Sequence, residues 1–206
     1  MKVKFTFFLF LIALTCNSQN SFEGAVYFHL KFTSKDSIQS SRIEKENKFK
    51  VKKGDSIKML YSRFGHIKYQ HLNSGETGID YYLILSNGTR YRKLKSGSID
   101  NPSTKVRFIG KFKAENQIVM GISCECYQYQ YKTAKKKSLT ETFCFSKSSP
   151  VLDYKLFGLQ SNIADRDFFE TAERPYLKYT FEATNYKIEQ TAYKLQIENL
   201  PPEEFK

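Results

Sequence analysis

Apolar and polar positions alternate along most of this chain, and no long stretch carries the 3.6-residue period of a helix. Val26, Phe28, Leu30 and Phe32 fall on one face of an extended segment, with Tyr27, His29 and Lys31 on the other, which predicts a half-buried first strand. Phe49 and Val51, a turn at Lys53-Gly54-Asp55, then Ile57, Met59 and Tyr61 predict a hairpin. Tyr81 to Leu85 and Arg90 to Leu94 flank Ser86-Asn87-Gly88-Thr89. There Asn-Gly suits a type I′ turn that pairs Ile84 with Tyr91. Lys105 to Lys113 reads as a strand with Val106, Phe108, Gly110 and Phe112 on one side, followed by strands over Gln117 to Tyr131 and Leu139 to Ser146. Between Pro150 and Arg174 the alternation lapses, and Ile163 to Ala172 predicts one short helix capped by Asn162. Tyr176 to Ala183 and Tyr186 to Glu198 close the chain as two strands, and Pro201-Pro202 ends the ladder because proline has no N–H to donate. The expected fold is mainly β: one antiparallel sheet, too long to stay flat, coiled into a barrel or half-barrel with a concave aromatic face and one short helical segment.

The first residues follow a different pattern. Lys2 and Lys4 precede an apolar run from Phe5 to Thr15, after which Cys16-Asn17-Ser18-Gln19 turns polar. That is the layout of a secretory signal peptide. Its apolar core is 11 residues long, about 16 Å as a helix against the ~30 Å of a bilayer's hydrocarbon. The expectation is cleavage after Ser18, leaving residues 19–206 as a single exported domain. Cys16 offers a second outcome, lipidation as the first residue of a lipoprotein, but Ala13-Leu14-Thr15 is a poor lipobox.

Composition sharpens the compartment. The chain carries 33 basic and 21 acidic residues, a net charge of +12. Lys2 and Lys4 account for two of those charges, so residues 19–206 keep +10. Such a surplus favours anionic partners. No aromatic nucleic-acid box or helix-turn-helix pattern occurs, so no nucleic acid is expected, and an anionic envelope surface fits an exported protein better. The plainer reading is a solvated strand face, since Lys48, Lys50 and Lys52, and again Lys111 and Lys113, recur at period two.

Three cysteines follow the leader: Cys124, Cys126 and Cys144. If the loop after the Gln117–Tyr131 strand centres on Ala134-Lys135-Lys136, Cys126 lies opposite Cys144, Tyr127 opposite Phe143, and Tyr131 opposite Leu139. One register then gives an aromatic face and a face of cysteines, glutamines and threonines. A disulfide Cys126–Cys144, or Cys124–Cys144 if the register slips by two, is worth on the order of 3 kcal/mol in the chain-entropy picture. C-x-C lacks the spacer that makes C-x-x-C thiolates reactive.

Candidate chemistry is sparse. His29, His66 and His71 have no acid at metal-ligand spacing, and no zinc set, P-loop, nucleophile elbow or dinucleotide fingerprint is present. Asp153, Asp165, Asp167 and Glu170 show no diagnostic spacing for a carboxylate pair, and Asp165-Arg166-Asp167 reads as a solvated helix start. The expectation is a protein that is not an enzyme and carries no cofactor or metal. Tyr127, Tyr129 and Tyr131, with Phe143, either line a cavity for an amphiphile or form the packing face of the sheet.

The segment Gln117-Ile118-Val119-Met120-Gly121-Ile122-Ser123-Cys124-Glu125-Cys126-Tyr127 resembles the I-x-G-Y-x-C strand of exported GLPGLI-family proteins and related exported domains of Gram-negative bacteria. Phe157-Gly158-Leu159-Gln160-Ser161-Asn162-Ile163 is similar to the signature that names the family, matching at Gly158, Leu159 and Ile163. The opening Phe22 to Tyr27 and the closing Pro201 to Phe205 also sit where those families place theirs. The resemblance implies a fold similar to the lipoprotein carriers LolA and LolB, a coiled half-barrel closed by a short helical segment over an apolar cavity. It brings no catalytic residues. The function expected is an exported binding protein holding a lipid or other amphiphile, or alternatively a structural protein of the envelope that binds a protein partner through exposed strands.

Overall fold

The structure is a computed structural model that describes residues 21–35, 56–72, 79–86, 90–94, 106–134, 136–157 and 163–205. The leader expected over residues 1–18, Cys16, the strand expected around Phe49 and Val51, and Asn162 lie outside these. Ten strands form one antiparallel sheet: β1 (Gly24–Ser34), β2 (Ser56–Tyr61), β3 (Ile67–His71), β4 (Ile79–Ile84), β5 (Arg90–Leu94), β6 (Val106–Val119), β7 (Ile122–Thr133), β8 (Ser138–Phe145), β9 (Lys178–Glu182) and β10 (Tyr186–Ile197). Their order across the sheet is β5-β4-β3-β2-β1-β10-β9-β8-β7-β6. The first and last strands thus meet in the middle, every other neighbour follows in chain order, and the longest of those connections joins β8 to β9. Between those two the chain leaves the sheet to form α1 (Tyr154–Phe157) and α2 (Ile163–Ala172), and a 3-10 turn, η1 (Pro202–Phe205), follows β10.

The sheet curls around α2. Laid flat, β2 and β8 lie four strand spacings apart, about 19 Å. Yet three ring-to-ring steps bridge them: Tyr61 to Phe169 at 6.4 Å, Phe169 to Phe168 at 5.5 Å, and Phe168 to Phe143 at 4.9 Å. The coiled half-barrel expected from the alternation is therefore the fold, with α2 seated on its inner face. Helix α2 exists because Ala164, Phe168 and Ala172 recur every fourth residue with Phe169 beside them, and all four are buried. It stops at Glu173, whose left-handed φ of 49° turns the chain while its N–H still donates to Phe169.

The β7–β8 register is the one that the cysteine arithmetic predicts, with Cys126 opposite Cys144, Tyr127 opposite Phe143 and Tyr131 opposite Leu139. Other details differ. The Asn87-Gly88 hairpin pairs Ile84 with Arg90 and Leu83 with Tyr91, one residue from the expected register. The Ser86 N–H, just past the end of β4, donates to His66 Nδ1 at 3.0 Å, and residues 87–89 lie outside the described ones. The strands expected to break near residue 114 are one hairpin with a bulge between Ala114 and Gln117, and its tip is Met120-Gly121, both at positive φ. A second bulge between Phe108 and Gly110 separates residues predicted to share a side. Phe108 packs on Tyr131 at 5.7 Å, whereas Gly110 and Phe112 turn to the other face. Strand β3 escaped the alternation test altogether. Opposite the inner face, Phe205 of η1 covers Ala25, Leu60 and Leu83.

Candidate functional site: the inner aromatic face

The inner face has a packed end and an open end. At the packed end Phe168 stacks on Phe143, and Phe143 meets Tyr129 edge-on at 5.7 Å and Tyr176 at 5.7 Å. These rings are all 3% exposed or less. Tyr61, Phe157 and Phe169 extend the same cluster toward β2. The turn before β3 closes tightly on α1, since a Cβ at Gly65 would meet the Leu156 carbonyl oxygen at 2.6 Å.

A polar knot pins α2 to the sheet beside these rings. Tyr129 Oη donates to Asp167 Oδ2 at 2.8 Å, and Lys111 Nζ reaches the same oxygen at 2.7 Å and Thr171 Oγ1 at 2.6 Å. The Lys111 ammonium also lies 4.8 Å from the ring centre of Tyr127 and 5.8 Å from that of Tyr129. Burial pushes the Tyr129 phenol well above the usual tyrosine range, and the neighbouring Asp167 carboxylate adds to the shift. Two expectations are corrected here. Lys111 does not belong to a solvated face, because the bulge at Phe108 re-aims it inward opposite Tyr129. Asp167 is not part of a merely solvated helix start, because Asp167 and Thr171, four residues apart on α2, share the side that meets β6. That spacing was the signal available in the sequence.

The open end lies along the same face, farther from α2. Phe32, Phe181, Tyr186 and Ile188 face inward by strand register, and all are only half-buried by the described residues. Phe32 stacks on Tyr186 at 5.7 Å, and Tyr186 meets Phe181 at 5.8 Å. Glu141, half-buried, accepts from Tyr179 Oη at 2.8 Å between the two ends.

Of the candidate lining residues, Tyr127 is half-buried, while Tyr129, Tyr131 and Phe143 are buried within the packed end. The aromatic row at the open end is not marked in the sequence, because β1 comes beside the β9–β10 hairpin only through the β1–β10 pairing. Cys126 and Cys144 are joined by a disulfide, and Cys124 is a free buried thiol whose pKa burial raises. By alternation they lie on the face away from α2. Among the described residues no three His, Cys, Asp or Glu side chains are arranged to hold a metal ion. His66 accepts from the Ser86 amide, and burial lowers its pKa. His29 stacks on Tyr193 at 4.2 Å.

No protein-family model and no curated protein matches the chain. Solved structures do. The chain is similar to the Mycobacterium tuberculosis lipoprotein LppX, with 10% identity over 93% of this chain and 92% of that one and a TM-score of 0.40. It is also similar to a domain assigned as an outer membrane lipoprotein-sorting protein from Vibrio parahaemolyticus, with 9% identity over 95% of each chain and a TM-score of 0.32. Both likenesses concern the fold alone.

Proposed function

We propose that this chain is an exported, non-catalytic binding protein of the cell envelope that holds an acyl chain or other amphiphile on the open end of its inner face. The observation that carries this reading is the row Phe32, Tyr186, Phe181 and Ile188, which points into the curl of the sheet and is only partly buried, unlike the sealed rings under α2. A core left that wet in one place, beside rings sealed to a few per cent, is a surface that gains by covering apolar area. Phenol and phenyl rings accept an alkyl chain without demanding hydrogen bonds from it. The leader read in residues 1–18 supplies the export, and the resemblance of the Gln117–Tyr127 segment to GLPGLI proteins belongs to the same reading. Native mass spectrometry of the processed protein, purified gently from its own envelope, tests it: a discrete adduct of lipid mass is expected, and an apo mass that no added amphiphile shifts refutes it.

A second reading has its own observation. Strand β6 is a sheet edge, and it exposes Val106, Ile109 and Phe112, the last at 48%. An edge of that kind adds a partner's strand. A pull-down from envelope extracts that returns a specific protein, lost on placing proline in β6, supports this alternative.

A further inference from the structure

The face turned away from α2 carries an aromatic and basic patch that the inner-face reading leaves unused. Lys58 of β2, Tyr27 of β1 and Lys194 of β10 lie in one row across three strands. The ring of Tyr27 has two ammonium groups over it, Lys58 Nζ at 5.6 Å and Lys194 Nζ at 5.0 Å. Tyr193, bulged from the ladder and 42% exposed, stacks on the exposed His29 and meets Tyr27 at 6.1 Å. Two residues beyond His29, Lys31 is exposed on the same face.

The charge balance of the row around Tyr27 is positive, while toward β3 on the same face η1 brings Glu203 and Glu204, the latter paired with Lys68 at 3.6 Å. Lys58 is offset by Glu198 at 3.6 Å, and Lys187 and Lys178 share Glu189 at 3.0 and 3.9 Å. For Lys31 and Lys194 no carboxylate lies within ion-pair distance among the described residues. A second feature converges on the patch. The bulge between Ala114 and Gln117 bends the β6–β7 tip back over this face, so that Lys178 Nζ donates to Gln117 Oε1 at 2.7 Å across β7 and β8, and β6 comes alongside β10. At that tip Val119 is buried, while Ile118 is 79% exposed and Met120 38% exposed.

We infer that this outer face docks the protein on an anionic lipid bilayer, with Lys31 and Lys194 at the phosphates, Tyr27 and Tyr193 at headgroup depth, and Ile118 and Met120 entering the acyl boundary. Each residue type suits its place: ammonium groups gain from the negative surface potential, tyrosines favour the interface where one edge stays wet, and exposed aliphatic groups on a hairpin tip gain by leaving water. The site is on the other side of the sheet from the proposed cargo face, so one molecule can hold cargo and surface together.

The processed protein is mixed with phosphatidylcholine vesicles made with and without phosphatidylglycerol, and the bound fraction is measured by sedimentation. All variants share one N-terminus, so differences between them owe nothing to a leader or an anchor. Binding that requires phosphatidylglycerol and falls with salt is expected. Lys31→Gln with Lys194→Gln lowers it about 30-fold, and Ile118→Ser with Met120→Ser lowers it about tenfold, both with an unchanged thermal midpoint. Equal binding to neutral vesicles, or undiminished binding by both variants, overturns the inference. Phe181→Asp with Ile188→Asp separates this from cargo uptake. It removes a lipid adduct and leaves vesicle binding intact, whereas release of the vesicles by this inner-face variant, with the outer-face variants still bound, also overturns it.

Discussion

The two ends of the inner face are built from the same residue types and end in different states. Under α2, Phe143, Tyr129, Tyr176 and Phe168 are sealed on both sides, by strands and by a helix. Along β1, β9 and β10, Phe32, Phe181 and Tyr186 have strands beneath them and, among the described residues, no helix above. What separates a core from a binding surface here is therefore not hydrophobicity but the second layer. A helix needs an anchor to stay down, and the anchor is polar: Lys111, Tyr129, Asp167 and Thr171 hold α2 to β6 and β7.

The largest contrast comes from truncating one ring at each end. Phe143→Ala removes a side chain touched by Phe168, Tyr129, Tyr176 and Tyr179, and a buried Phe→Ala change costs about 3–5 kcal/mol. Its chemical denaturation midpoint falls accordingly. A Phe143→Ala protein as stable as the unsubstituted chain removes the distinction between the ends.

Next in size is the disulfide behind the packed end. Cys144 adjoins Phe143 in β8, and its bond to Cys126 ties β8 to β7 on the other face of the same residues. Cys126→Ala with Cys144→Ala costs on the order of 3 kcal/mol. In the intact protein cleaved after Ser18, alkylation under denaturing conditions adds one label, at Cys124, and under native conditions none, because that thiol is buried. Three labels without reductant contradict the pairing.

Both the register and the helix behind these predictions were readable from the chain. Short tight elements carry their own instructions: the Thr133–Lys137 loop sets the β7–β8 pairing, and Ala164, Phe168 and Ala172 set the face of α2. The bulges at Phe108–Gly110 and Ala114–Gln117 carry no such local mark. They arise where Phe108 packs on Tyr131 and where Gln117 meets Lys178, contacts that depend on a partner strand. Lys111 shows the consequence. Alternation assigns it to water, and only the bulge turns it toward Asp167. The open aromatic row was hidden in the same way, since nothing near Phe32 tells that residues some 150 positions later will lie beside it.

The polar anchor predicts a smaller, pH-dependent effect. Asp167→Ala leaves the buried Tyr129 hydroxyl without its acceptor, a loss of about 1–3 kcal/mol. Tyr129→Phe removes donor and need together and costs less. The folded state holds the Tyr129 proton above the unfolded value of about 10, so the stabilisation is full below that pH and is lost as pH rises through the folded value. Ultraviolet titration is therefore expected to show the Tyr129 phenol among those that ionise only as the chain unfolds in alkali. Ionisation of every tyrosine in the still-folded protein contradicts the burial of Tyr129 at the anchor.

The smallest stability change belongs to the open end, and there the readout moves elsewhere. Phe181→Ala removes a ring that is only partly buried, so less area is lost from cover than at Phe143 and stability falls by about 1–2 kcal/mol, less than for Phe143→Ala. Bound amphiphile, by contrast, loses one of the rings that face it, and the same substitution is expected to weaken retention of a fluorescent fatty-acid probe severalfold. A residue whose removal costs the fold less than a sealed ring does, yet weakens the ligand, is serving the ligand. If Phe181→Ala instead lowers stability as far as Phe143→Ala does and leaves probe retention untouched, the open end is core, and the proposed cargo face fails with it.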